Sequence, residues 1–95
     1  MLSVAEIKER IYPVCTKHGI RIAILFGSYS KGFATSKSDV DILVDSGLRG
    51  LRFVGLIQDL SQVLGVDVDV IDVAHISANS PLTKEIEATG ITIFP

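Results

Sequence analysis

Apolar residues recur along the chain at two periods, three to four residues in some stretches and two in others. Val4, Ile7, Ile11, Val14 and Cys15 fall at three- and four-residue steps and share one face of a helix. Ser3 followed by Glu6 has the spacing of a capping box, and Gly19 after His18 supplies a stop. Arg21 to Phe26 (RIAILF) is an apolar run of strand length. From Gly27 to Lys37 the chain turns to Gly, Ser and Thr, which predicts a loop with room for one helical turn. Asp39 to Asp45 (DVDILVD) then predicts a second strand with Asp39 and Asp41 on the same face, broken by Ser46-Gly47.

The stripe Leu48, Leu51, Leu56, Leu60 and Val63, widened by Phe53, Ile57 and Leu64, predicts a long helix ended by Gly65. Val66 to Val73 (VDVDVIDV) alternates as a third strand, with Asp67 and Asp69 on one face and Val66, Val68 and Val70 on the other. Ser80-Pro81 opens a short helix, Gly90 closes it, and Ile91-Thr92-Ile93-Phe94 makes a terminal strand. Helices alternating with strands in this order predict an α/β fold, a mixed sheet of three to four strands packed by helices, in a single domain over residues 1–95.

Composition narrows the picture. With 95 residues and 47% hydrophobic content there is one core of modest size, and docking to a partner would add stability. A net charge of −2 with scattered Lys and Arg argues against a general nucleic-acid binder. The apolar runs are too short to cross a bilayer and the N-terminus has no signal-peptide pattern, so a cytoplasmic location is expected. Cys15 has no second cysteine to pair with and sits at core spacing; neither His18 nor His75 has zinc-ligand companions.

The chemistry concentrates in Gly27-Ser28, ten intervening residues, and Asp39-Val40-Asp41, with a strand before the first pair and another through the second. A glycine at a strand end lets the backbone approach a ligand, and the serine adds a hydroxyl and a main-chain N–H for phosphate oxygens. Replacing both is expected to weaken triphosphate binding and leave the fold intact. Two carboxylates side by side repel unless a hard divalent cation lies between them. An acidic residue on a neighbouring strand would complete an oxygen-ligand cluster for two metal ions, and Asp69 is the candidate. Lys31 and Ser38 could reach phosphates or orient an aspartate; Tyr29 and the other polar residues of the segment read as ordinary loop. Alone, Gly-Ser would be a turn, and Asp67, Asp69 and Asp72 could form the wet face and end of an edge strand.

The stretch ILFGSYSKGFATSKSDVDILV, residues 24–44, resembles the DNA polymerase β-like nucleotidyltransferases and within them the minimal nucleotidyltransferase (MNT) group, with weaker support from VDVDVIDV and ATGITIF. The resemblance implies the small nucleotidyltransferase fold, nucleotide binding by Gly27 and Ser28, magnesium at Asp39 and Asp41, and a third carboxylate that helps activate the acceptor hydroxyl. In relatives that carboxylate stands four positions after the glycine ending the preceding helix, which selects Asp69 over Asp67. Lys31 stands where the pattern commonly has Arg, and Ser30 where it has Ala. The implied activity is AMP transfer from ATP, with two Mg2+ ions, to a tyrosine of a HEPN-domain ribonuclease toxin, the two proteins forming an antitoxin–toxin assembly. The rival reading is a contact-only antitoxin whose nucleotide site is vestigial or regulatory. Transfer to a small molecule or an RNA end would require substrate surfaces for which 95 residues leave little room.

Overall fold

The computed structural model describes every residue from Met1 to Pro95. Helix α1 (Val4–His18) starts at the expected capping box: the Ser3 hydroxyl accepts the Glu6 N–H at 3.1 Å and the Glu6 carboxylate accepts the Ser3 N–H at 3.0 Å. It ends at Gly19, whose φ of 68° is left-handed. Ile7, Ile11, Val14 and Cys15 are buried, as their spacing requires.

Four strands form one mixed sheet in the order β3-β2-β1-β4. Strands β1 (Ile22–Phe26) and β2 (Val40–Asp45) are antiparallel, and between them lies a single helical turn, α2 (Ser28–Lys31). Helix α3 (Leu51–Leu64) carries the chain back so that β3 (Val68–Asp72) lies parallel to β2, the crossover that a parallel pair demands. A 3-10 turn at Val73–His75 leads to α4 (Pro81–Thr89) and then to β4 (Ile91–Phe94), antiparallel to β1. The mixed four-stranded sheet agrees with the expected architecture.

Strand alternation assigns the two faces. Ala23, Leu25, Val40, Ile42 and Val44 point into the main core with Ile7, Ile11, Leu56 and Leu60, so α1 and α3 cover that side. Phe26 and Leu43 project the other way and meet Ile86 of α4. That second layer is a single short helix, and the face is covered only in part. Asp41 and Asp69 share the strand parity of Leu43 and Ile71 and belong to this thinly covered face, and Asp39 and Asp67 each stand one residue before the strand that follows.

Four expectations are corrected. The third helix starts at Leu51 rather than Leu48, because Gly50 adopts φ 56° and Leu48 packs on the core from a loop. The strand expected over Val66–Val73 is trimmed to Val68–Asp72, and Asp39 lies just before β2 rather than within it. Asp72 is buried, not wet: it has the parity of the valines, and its carboxylate accepts from the N–H and hydroxyl of Ser46 and from the N–H of Ala74. Burial alone would raise its pKa, but these hydrogen bonds outweigh it and hold the carboxyl below the usual range.

Candidate active site

Gly27 turns the chain from β1 into α2 with φ 72° and ψ −148°, a combination that side chains with a Cβ avoid. A Cβ there would also collide with the Asp41 carboxylate, so the carboxylate rests directly against the glycine backbone. The first N–H groups of α2 have no intrahelical acceptor, the arrangement that receives anions. Ser30 braces the turn, its hydroxyl donating to the Gly27 carbonyl at 3.1 Å. Tyr29, read from sequence as loop, is buried and pins α2 to the main core.

Strand register aligns the acidic residues. Phe26 pairs with Asp41 across β1–β2, and Asp41 pairs with Asp69 across β2–β3. The end of β1, Asp41 and Asp69 therefore lie in one row, neighbouring strands about 4.8 Å apart. Asp41 is half-buried; burial, then the charges of Asp69 and Asp39, push its carboxyl up to about 6. Asp39 and Asp69 are exposed at the rim. Asp67 lies one residue before β3, where its carbonyl accepts the Val40 N–H at 3.0 Å, and its charge is not among those acting on Asp41. The structure thus brings Asp69, not Asp67, to Asp41.

Of the two further loop candidates, Lys31 turns to α4 and Ser38 braces the approach to Asp39. Lys31 closes α2, and its ammonium pairs with Glu85 of α4 at 3.1 Å. Ser38 accepts the Thr35 N–H at 2.9 Å and so shapes the turn leading to Asp39. Beside it an open, polar groove of about 440 Å³ runs from Asp39 past Lys37 and Ser61 to Asp67. Glu85 is the residue that the sequence did not reveal: its charge acts on Asp41, yet it lies far along the chain in a helix with no motif of its own.

The donor set suits magnesium, being made of carboxylate oxygens with no thiolate or imidazole. No three acidic, His or Cys side chains are drawn into a ready cage.

Comparison with known proteins then decides the family. The profile of the polymerase beta nucleotidyltransferases matches residues 9–95, a span that holds the glycine seat and all the acidic residues above. The chain belongs to this nucleotidyltransferase family. A Methanocaldococcus jannaschii protein, provisionally named a protein adenylyltransferase, is 40% identical over 86 residues, covering 88% of this chain and 89% of the relative. Among solved structures, a toxin–antitoxin complex with AMP-PNP superposes with a TM-score of 0.77 at 27% identity, covering 92% of this chain and 72% of that one. The MNT antitoxin bound to a tri-AMPylated HEPN toxin of Shewanella oneidensis shares the fold, with a TM-score of 0.72 at 24% identity over 96% of this chain and 71% of that one. As a family member the chain is a minimal nucleotidyltransferase and an enzyme by class.

Proposed function

We propose that this nucleotidyltransferase transfers AMP from ATP to a tyrosine hydroxyl of a HEPN-domain partner and thereby acts as an antitoxin. The observation that carries the reading is the row formed by the Gly27 turn, Asp41 and Asp69, with Asp39 at its rim. Gly27 and Ser28 seat the triphosphate, with Lys31 at the end of the turn. Ser38 holds the Asp39 loop in place. Mg2+, taken up by Asp39 and Asp41 with help from Asp69, would neutralise the triphosphate and the pyrophosphate leaving group.

In the transfer the tyrosine oxygen forms a bond to the α-phosphorus, the bond from that phosphorus to pyrophosphate breaks, and the tyrosine proton passes to the Asp69 carboxylate. Since the chain offers no covalent nucleophile, rate comes from positioning and charge compensation. Adenylyl transfer is supported by the name of the Methanocaldococcus relative and by the AMP-PNP held in the related toxin–antitoxin complex. An adjacent acceptor protein also suits a small chain whose carboxylates stand at an open face.

The test is mass spectrometry of a HEPN-domain partner co-expressed with each variant. Wild type should leave AMP on a partner tyrosine. Asp69→Asn should retain nucleotide binding but lower transfer by roughly 10² to 10⁴, the usual contribution of a positioned general base. Asp67→Asn should transfer nearly normally. Loss of the adduct with Asp67→Asn and its retention with Asp69→Asn would refute the assignment.

A further inference from the structure

Lys31 and Glu85 join two elements that the nucleotidyltransferase motif does not connect. Lys31 ends the turn that begins at Gly27, Glu85 lies within α4, and their charged atoms are 3.1 Å apart with each side chain about one-third exposed. The position of Glu85 is not accidental to a mobile surface helix. Its neighbour Ile86 is buried against Phe26 and Leu43, which anchors α4 over the same sheet face that carries Asp41. The Glu85 charge also reaches Asp41.

Two physical consequences follow. A lysine on a four-residue turn would otherwise spread over many rotamers, and a fixed partner removes that freedom before a ligand arrives. An ammonium has three donors, so one bond to Glu85 leaves others for a phosphate oxygen. The second consequence is electrostatic. Glu85 pushes the Asp41 carboxyl up even while paired with Lys31, and without the lysine its full negative charge would stand on the same sheet face and repel a triphosphate.

We propose that Glu85 is the positioning residue for Lys31, holding its ammonium at the end of the Gly27–Ser28 seat, so that α4 forms part of the nucleotide site. The pair acts as a unit, and either half is harmful without the other. This rests on the ATP-binding reading above but not on the identity of the acceptor.

The experiment is calorimetric titration of AMP-PNP with Mg2+ into wild type, Glu85→Gln, Lys31→Met and the double variant, each first shown to be folded by circular dichroism. Glu85→Gln should weaken binding roughly three- to tenfold in the wild-type background. In the Lys31→Met background the same change should strengthen binding, because it removes a stranded negative charge. In steady-state assays Glu85→Gln should raise KM for ATP with little change in kcat, and Glu85→Asp should recover part of the loss. Should Lys31→Met be unfolded, Lys31→Gln supplies the same background. An equal effect of Glu85→Gln in both backgrounds, or no effect in wild type, would overturn the proposal while leaving nucleotide transfer standing. Failure of wild type to bind AMP-PNP with Mg2+ would overturn both.

Discussion

Asp41 is the residue on which site and stability meet. Its carboxyl is pushed up to about 6 by burial and by the charges of Asp69 and Asp39. A carboxyl whose folded pKa lies above its unfolded value of 3.8 favours folding fully at pH below that value and loses the contribution as pH rises through about 6. At neutral pH the ionised side chain therefore opposes folding until a cation compensates it. Asn keeps the shape against Gly27 and removes the charge. Asp41→Asn should raise the melting temperature of the metal-free protein by a few degrees at about pH 7.5, on the order of 1 kcal/mol once solvent screening is allowed for. The advantage should fade below about pH 4, and stabilisation by Mg2+ and ATP should be lost with it. A lower melting temperature than wild type in EDTA near neutral pH would contradict this account. Asp41 was legible as a strand carboxylate from its alternation with Val40 and Ile42, and Asp39 from its place two residues before it at the strand's entry. Glu85 was not, because its closeness to Asp41 depends on how α4 lies across the sheet.

At the scale of elements, the turn from β1 into α2 couples backbone geometry to binding. The expectation that Gly27 and Ser28 could be replaced with the fold intact meets a cost at Gly27, since φ 72° with ψ −148° strains a residue with a Cβ and the Asp41 carboxylate fills its space. Gly27→Ala should cost about 1–3 kcal/mol in a denaturant titration, the strain of a non-glycine residue in such a conformation, and should also displace Asp41. Ser28→Ala should leave the denaturation midpoint nearly unchanged and weaken AMP-PNP binding roughly tenfold, the loss of a hydrogen bond to a charged group. Equal stability of Gly27→Ala and wild type would show that the turn tolerates a Cβ. Capping chemistry made α1 readable at both ends, and the capped Ser80-Pro81 start made α4 readable. Leu48 misled because an apolar residue packs on the core equally well from a loop, and periodicity does not register the φ of Gly50. Asp72 looked solvent-facing by type, yet parity already placed it with the valines; its partner Ser46, 26 residues away, was the hidden part.

Taken whole, the molecule stacks two helices on one sheet face and a single short helix on the other, so the carboxylate row stands at an opening beside α4. Element order was legible because the apolar period switches between helix and strand steps along the chain, whereas which face stayed open depended on the length and placement of α4. A face covered only by α4 leaves the carboxylates open to a bound nucleotide, and the proposed HEPN partner would bring its own tyrosine into place. Chemistry and contact then make separable contributions to neutralisation, which distinguishes the enzyme from the contact-only antitoxin. Asp39→Asn with Asp41→Asn removes the proposed cation ligands while leaving the helices and the α1–α3 core untouched. Expressed beside a growth-arresting HEPN ribonuclease from the same genome, wild type should restore growth, and the double variant should still co-purify with the partner yet fail to restore it. Colony counts read the first result and affinity purification the second. Restoration of growth by the double variant, with no AMP on the partner, would show that contact alone neutralises the toxin.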